Sequence, residues 1–283
     1  MTAAPIGVFP GTPYEEYARW DALRSSYLRH FKRTPLHARQ QYVAPSAPSA
    51  AFDQGNLIHT AILEPELLEA RYVRSIKVDR RYIAGKALWA QFEADNAGKE
   101  IVDPVDFDAA LAVRDSVWKH SWAPALLGGK GSNELAMGWE DARFKVACKA
   151  RIDRYVADFD GSPAIVDLKS TADAGVESFR RSIETFDYGL QAAFYLDGME
   201  TLSPHYRQWI WVAIEKHPPF ACALYTPDDE VLEAGRGRYR TAIAAHLEGV
   251  RTGIWPGYPQ RPLLIGRPAW ARKASEQLAE AGL

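Results

Sequence analysis

The chain has 283 residues, of which 47% are hydrophobic and 12% aromatic, so it can bury the core of one large globular domain. Its charges nearly balance, with 34 Lys and Arg against 36 Asp and Glu, which argues against a polycation that holds nucleic acid through its overall field. No run of about 18 apolar residues could cross a membrane, and the beginning, MTAAPIGVFPGTPYEEY, lacks the pattern of a signal peptide, so we expect a cytoplasmic location and no membrane partner.

The first half of the sequence predicts helices. Residues 14–42 contain one or two of them, interrupted near Thr34–Pro35 because proline disfavours helical geometry in the residue before it. The stretch APSAPSAA, residues 44–51, is typical of a surface loop. A further helix is predicted from about Gly55, and another helical pattern covers residues 105–127.

The middle of the chain changes to a strand pattern. In RFKVACKARIDRYVADF, residues 143–159, apolar and charged side chains alternate, which predicts a half-buried strand. One face carries Phe144, Val146, Cys148, Ala150 and Ile152, and the other carries Lys145, Lys149, Arg151 and Asp153. The turn residues DGSP follow at 160–163, so the apolar run at 164–166 should return as a hairpin partner. Cys148 and Cys222 both lie in apolar, strand-like segments, and we interpret them as core thiols.

The last part of the chain mixes both types of element. Residues 175–201 are helical in pattern, residues 208–215 and 220–226 predict a pair of strands, and a helix is predicted from about 228 to 249. This order of elements favours an α/β (α+β) fold in which helices cover a mixed sheet.

The stretch AIVDLKSTAD, residues 164–173, contains the most informative charges. On a strand, Asp167 and Lys169 share one face while Val166 and Leu168 enter the core behind them. Burying an ionised carboxylate costs several kcal/mol unless a partner compensates its charge. The partner of Asp167 is therefore either Lys169 alone or a metal ion.

Pairing of the two strands would bring Asp153 to the same place. Two carboxylates repel one another unless a divalent cation lies between them, and oxygen ligands suit Mg²⁺ or Mn²⁺. Lys169 would then orient or activate an attacking water, or offset charge that develops on a phosphate. The alternative is an ordinary ion pair between Asp167 and Lys169, which would contribute little to stability at a surface.

These residues resemble a known nuclease signature. Asp153, Asp167 and Lys169 are similar to the PD-(D/E)XK motif, and QAAFY, residues 191–195, resembles the Q-x-x-x-Y element of its RecB-like branch. Upstream, GNLIHTAILEPE resembles the G-x-x-x-H-x-x-x-L-E-P segment of the exonuclease VIII family of phage-type exonucleases. The resemblance covers about residues 12–270, with further similar segments at 79–102, 133–141, 213–220 and 252–259.

The resemblance implies a ligand set and a catalytic set. His59, Asp153, Asp167 and the backbone carbonyl of Leu168 would bind the metal, and Lys169 would be the catalytic lysine. A neutral imidazole beside oxygen ligands is compatible with Mg²⁺ and well suited to Mn²⁺.

Other positions follow from the same resemblance. Gln191 and Tyr195, which are i and i+4 on one helix, would support the site and contact DNA. Glu134 stands where relatives have an acidic residue, as a further candidate ligand or, alternatively, a solvated carboxylate. Ile152 replaces the proline of the motif, which affects no ligand, and two cysteines are too few for the iron–sulfur cluster of some RecB-like nucleases.

The implied fold is a restriction-endonuclease-like PD-(D/E)XK core with a mixed central β-sheet flanked by helices. We expect one exonuclease domain over residues 1–283, with residues 1–50 as an N-terminal helical extension and about 271–283 as a C-terminal tail.

The implied activity is metal-dependent exonucleolytic digestion of double-stranded DNA from its ends. The resemblance also implies 5′ to 3′ polarity, a ring-like homo-oligomer and a single-strand annealing protein as a partner in phage-type DNA recombination. Two alternatives are an endonuclease or single-strand nuclease on the same fold, and a catalytically silent DNA-binding module. The intact set of converging carboxylates and lysine argues against a silent module.

Overall fold

A computed structural model of the protein describes residues 2–44, 50–205 and 207–268. The predicted tail at about 271–283 and most of the predicted loop at 44–51 lie outside these described residues. Within the described residues, no helix has the length and apolar character needed to cross a membrane.

Ten strands and eleven α-helices form the described part of the chain. The strands are β1 Thr2–Ala3, β2 Gly7–Phe9, β3 Trp20–Asp21, β4 Tyr72–Arg74, β5 Glu100–Val102, β6 Gly131–Glu140, β7 Ala147–Phe159, β8 Ser162–Thr171, β9 Gln208–Glu215 and β10 Cys222–Tyr225. The α-helices are α1 Tyr14–Arg19, α2 Ser25–Leu28, α3 Pro35–Val43, α4 Ala50–Leu63, α5 Leu68–Arg71, α6 Ile83–Asp95, α7 Pro104–Lys119, α8 Ala123–Gly128, α9 Val176–Phe186, α10 Tyr188–Leu202 and α11 Asp229–Thr252.

Six of these strands form the central sheet, in the order β10-β9-β8-β7-β6-β2. Strands β8 and β9 are parallel, and every other neighbouring pair is antiparallel. A parallel pair needs a long crossover connection, which α9 and α10 supply between β8 and β9. The predicted mixed sheet flanked by helices is therefore confirmed, and the helical pattern at 175–201 divides into two helices at Asp187.

Helices cover both faces of this sheet. Along β9, Trp209 and Trp211 enter one core, whereas Ile210 and Val212 enter the other, because successive side chains on a strand point to opposite faces. The first core is covered by α2, α9, α10 and α11, and the second by α4, α7 and α8. Residues of the intervening strands are therefore buried on both sides, and polar groups among them need partners.

The predicted hairpin between β7 and β8 is present. It turns at Asp160 and Gly161, which have φ values of 53° and 81°. Asp-Gly is favoured in such two-residue turns because both positions need positive φ. Strand β7 begins at Ala147 rather than at the predicted residue 143, since residues 143–146 form the turn and link after β6.

The N-terminal part differs from the helical extension predicted for residues 1–50. It contains three short strands besides its helices, and β2 joins the edge of the central sheet with Phe9 opposite Ala136. The backbone of Pro5 approaches Gly138 so closely that a Cβ there would lie 2.2 Å from the Pro5 carbonyl oxygen. The N-terminal segment is thus part of the sheet, and α4 begins at Ala50 instead of about Gly55.

Lys149 also holds the N-terminal segment on the sheet. We predicted this residue on the charged face of its strand, but it is only 3% exposed. Its ammonium donates to the carbonyls of Tyr17, Ala18 and Trp20 at 3.0, 3.3 and 2.6 Å. These carbonyls belong to the end of α1, where a cation complements the helix terminus.

Candidate active site

The site lies where β7 and β8 separate. These strands pair from Arg154 opposite Val166 towards the turn, but Asp153 and Asp167 do not pair with one another. Beyond that point β7 continues along β6, and β8 continues along β9, where Asp167 lies opposite Trp211. The separation leaves backbone groups without a partner strand, and the Asp153 carboxylate accepts the N–H of Leu168 at 2.9 Å.

Glu134 lies at a matching irregularity on the other side of β7. The β6–β7 register runs through the pairs Asn133–Arg154 and Leu135–Ile152 and omits Glu134 and Asp153 between them. Glu134 has a φ of 49°, a left-handed conformation that is uncommon for a residue with a side chain. Such backbone strain persists only where the surrounding structure enforces it.

Helix α4 brings His59 to the opening. Its neighbours Leu57 and Ile58 are buried in the second core, which places the helix against the sheet. The His59 Nε2 atom lies 3.1 Å from the Leu168 carbonyl oxygen, and Nδ1 lies 3.7 Å from Asp153 Oδ2. His59, which precedes Leu168 by 109 positions in the sequence, therefore faces the predicted strands.

The donor atoms gathered here fit a divalent cation. Among the described residues, His59, Glu134 and Asp153 form the one group of three potential ligands, and each offers an atom within 4.8 Å of the others. Ligands that bind one ion at about 2.1 to 2.4 Å lie at most about twice that distance apart. The Leu168 carbonyl, next to His59, adds another oxygen. One imidazole with several oxygens suits Mg²⁺ or Mn²⁺.

Asp167 and Lys169 occupy the deeper side of the opening. Their side chains are 3% and 15% exposed and form an ion pair between Lys169 Nζ and Asp167 Oδ2. Gln191 bridges the two residues, since its Nε2 donates to Asp167 Oδ1 at 2.8 Å and its Oε1 accepts from Lys169 Nζ at 3.2 Å. Asp167 therefore lies outside the group of three, held by Lys169 and Gln191.

The surroundings raise the pKa values of both Asp153 and Lys169, but for different reasons. Burial raises the pKa of the Asp153 carboxyl to about 6; Asp167 and Glu134 act in the same direction, and His59 and Lys169 oppose them. Burial alone would lower the pKa of Lys169, but the carboxylates of Asp167 and Asp153 outweigh it, so its pKa is raised. Lys169 is thus a cation throughout the physiological range of pH.

Tyr195 lies in the core close to Asp153, Asp167 and Lys169. It lies one turn after Gln191 on α10, as predicted, but it is only 8% exposed and packs edge-to-face on Trp209 with ring centroids 5.8 Å apart. It shares a hydrogen bond with Ser25, and burial raises the pKa of its hydroxyl to about 12. The expectation that Tyr195 contacts DNA therefore does not agree with its burial, whereas a supporting role does.

Two residues at the site were not singled out from the sequence. The ring of Tyr188 lies beneath Lys169, with its centroid 4.8 Å from Nζ, in a cation–π contact. Tyr188 precedes Gln191 by three positions, a helical spacing that could have indicated it. Arg151 binds Glu134 at 2.5 Å and precedes Asp153 by two positions, so strand periodicity could have indicated that residue.

Comparison with known proteins is consistent with this geometry. A family model described as a PDDEXK-like domain of unknown function (DUF3799) matches residues 25–261. No curated protein matches the chain. A solved structure from Eubacterium rectale, named "Putative exonuclease", is similar with a TM-score of 0.62 and 15% identity, over 93% of this chain and 98% of that one.

A second solved structure, SSO0001, covers 78% of this chain and 75% of its own with 15% identity, but its TM-score of 0.34 carries no argument. At 15% identity, the similarity to the Eubacterium rectale structure shows a shared fold. Together with the family match, it confirms the predicted PD-(D/E)XK-type fold.

Proposed function

The chain belongs to the DUF3799 family of PDDEXK-like domains, and on that basis we propose that it is a divalent-metal-dependent deoxyribonuclease that digests linear double-stranded DNA from its ends. The family and the fold suggest a nuclease. The finer choice of an exonuclease is supported by the resemblance of GNLIHTAILEPE, residues 55–66, to the exonuclease VIII family.

One observation carries the proposal. Asp153 and Glu134 form one group of potential ligands with His59, and Asp167 lies beside Lys169 at the adjoining opening between β7 and β8. Carboxylates that are brought together and partly buried repel one another, and apolar side chains would fill the same space at less cost. A divalent cation bound among them would offset this repulsion, which gives the cluster a use beyond the ion pairs within it.

The chain's own residues would divide the work. His59, Asp153 and the Leu168 carbonyl would hold Mg²⁺ or Mn²⁺, with Asp167 and Glu134 as further oxygen donors. When bound, such an ion lowers the pKa of a coordinated water and offsets charge on a phosphate. Burial on both faces of the sheet keeps these side chains in fixed positions, as an electrostatically organised site requires.

Lys169 would act as a donor. The Asp167 and Asp153 carboxylates raise its pKa, so Lys169 carries a proton that it can donate. Its ammonium can donate to the attacking water or to a phosphate oxygen, where negative charge grows in the transition state. Gln191 and the Tyr188 ring fix the direction of that ammonium.

The wider role follows the same resemblance. We propose 5′ to 3′ digestion, a ring-like assembly of several copies, and a single-strand annealing protein as partner in recombination. A shared fold does not determine polarity, assembly or partner. These three proposals therefore rest on similarity of sequence to the exonuclease VIII family.

Incubation of linear and covalently closed circular duplex DNA with Mg²⁺ or Mn²⁺ tests the activity. We expect loss of the linear DNA alone, only with the metal, and no loss with the matched variant Asp153→Ala. Cleavage of both substrates would indicate an endonuclease, and degradation of single strands alone would indicate a single-strand nuclease. No cleavage of any substrate would contradict the proposed activity and favour a silent DNA-binding module.

A further inference from the structure

Glu134 is held in its unusual conformation by contacts on both sides. The preceding residue, Asn133, donates through its side-chain amide to the Leu63 carbonyl and accepts from Arg154 Nη1 at 3.1 Å. The following residue, Leu135, is 3% exposed in the first core. The backbone of Glu134 is thus fixed at a φ of 49°, and its carboxylate reaches the group formed with His59 and Asp153.

The Glu134 side chain forms an ion pair with Arg151. Arg151 Nε donates to Glu134 Oε2 at 2.5 Å, and the two side chains are only 18% and 23% exposed. An ion pair that is this far removed from water is screened much less than a surface pair. Since the contact uses one carboxylate oxygen, lone pairs remain on the carboxylate for a second partner.

Arg151 is in turn anchored to the N-terminal segment. Its Nη1 donates to the Thr12 carbonyl at 3.3 Å, and its guanidinium lies 5.6 Å from the centre of the Tyr14 ring. The Thr12 hydroxyl donates to the Phe9 carbonyl at 3.0 Å, and Phe9 pairs with Ala136 at the edge of the sheet. The position of the guanidinium is therefore set by the sheet itself.

From these contacts we propose that Arg151 is a positioning residue that fixes Glu134 as a ligand of the divalent cation. This inference rests on the proposed function. Outer groups that orient metal ligands are worth about 10- to 100-fold in metal affinity. Arg151 plays that part here because Glu134 has a carboxylate long enough to turn away from His59 and Asp153 without it.

Simple electrostatics predicts that removal of Arg151 changes the affinity for the cation in the opposite direction. Loss of a positive charge next to a cation site should strengthen cation binding, and so should the removal of a competitor for Glu134. A positioning role predicts weaker binding. The direction of the change therefore distinguishes the two explanations.

Calorimetric titration of Mn²⁺ into the DNA-free full-length protein measures that direction. We expect Arg151→Gln to raise the Kd for Mn²⁺ about tenfold or more, and Arg151→Lys to raise it less. Arg180→Gln is the matched control, because Arg180 is 70% exposed on α9 and, within the described part of the chain, forms its ion pair with the neighbouring Glu177. That variant loses the same charge and should leave the Kd unchanged.

A double-mutant cycle shows whether Arg151 acts through Glu134. We expect Glu134→Gln to weaken Mn²⁺ binding, and the further change Arg151→Gln to add almost nothing. Binding by Arg151→Gln that equals or exceeds the wild type would overturn the inference, as would a loss that persists in full in the Glu134→Gln background. If Arg151→Gln does not fold, Arg151→Lys takes its place in the cycle. A wild-type protein that binds no Mn²⁺ would refute the metal site of the proposed function itself.

Discussion

Two lysines lie buried on neighbouring strands of the central sheet, and their partners differ. Lys149 on β7 donates to three backbone carbonyls, whereas Lys169 on β8 lies against the Asp167 carboxylate and donates to Gln191. Burial, together with the Arg24 guanidinium, lowers the pKa of Lys149 to about 8, because carbonyl dipoles compensate a charge less than carboxylates do. The carboxylates near Lys169 raise its pKa instead.

The difference distinguishes a lysine that anchors a segment from a lysine that we propose to be reactive. All the partners of Lys149 belong to one end of α1, so its charge holds the N-terminal segment on the sheet. The partners of Lys169 lie at the opening between two strands, beside the candidate metal ligands. Burial of a charged side chain is therefore common to both roles, and the identity of its partners distinguishes them.

The largest effect is expected for the rate of DNA digestion when Asp167, the partner of Lys169, is changed. Asp167→Asn keeps the volume of the side chain and its contact with Gln191 but removes the charge. We expect DNA digestion to fall by about 10³-fold or more, because a charge used in the transition state is lost while the fold remains. Digestion assays in Mg²⁺, with circular dichroism as the control for folding, measure it. Near-wild-type digestion by this variant would be incompatible with the proposed site.

The next prediction concerns Asp153, near Lys169, and the pH dependence of the free energy of unfolding. The pKa of Asp153 is about 6 in the folded protein and 3.8 when exposed, so the folded state favours the protonated carboxyl. Without metal, the contribution of Asp153 to the free energy of unfolding should be present in full below pH about 4 and should fall by up to about 3 kcal/mol as pH rises to about 6. Urea unfolding in EDTA at a series of pH values measures this.

Asp153→Asn is the matched control for that titration. Its neutral amide has nearly the same shape, so the decrease between pH about 4 and about 6 should largely disappear. A decrease of equal size in both proteins would assign the pH dependence to another group.

Substitution of the anchoring lysine, Lys149, should lower the stability of the fold. Lys149→Met fills the same space without a donor, and it leaves the carbonyls of Tyr17, Ala18 and Trp20 without their shared partner. We expect the free energy of unfolding to fall by about 2 kcal/mol, since buried acceptors lose their hydrogen bonds. Turnover should change by only a few-fold. A large loss of turnover without a loss of stability would remove the distinction between the two lysines.

The smallest effect is expected for His59→Ala. The side chain is 28% exposed, so its removal should change the melting temperature little. Because His59 is a proposed ligand, its removal should raise the Kd for Mn²⁺ by at least about tenfold. Calorimetry on the variant and the wild type decides it, and an unchanged Kd would exclude His59 from the metal site.

Local patterns in the sequence predicted much of the site. Alternation of apolar and charged residues located β7 and its hairpin partner, and therefore the shared face of Asp167 and Lys169. Helical spacing placed Gln191 and Tyr195 on one side of α10. These features depend on neighbours within a few positions, which is why they can be recognised from the sequence.

Other features depend on contacts between distant segments. The burial of Lys149 requires the carbonyls of α1, about 130 positions earlier in the chain. The left-handed Glu134 and its bond to Arg151 follow from the way β6, β7 and the N-terminal segment pack together. Periodicity placed Lys149 and Arg151 on the charged face of their strand, but it could not show which of these charges would be buried.

The central claim, that Lys169 acts in the chemistry and Lys149 in the fold, has one direct test. It uses Lys169→Met and Lys149→Met and compares melting temperature, DNA affinity in Ca²⁺ and digestion rate in Mg²⁺. We predict that Lys169→Met digests DNA about 10²-fold more slowly with nearly unchanged affinity, and that Lys149→Met melts earlier and remains active. A Lys169→Met protein that is destabilised but still active would contradict the account, because Lys169 would then be no more than the ion-pair partner of Asp167.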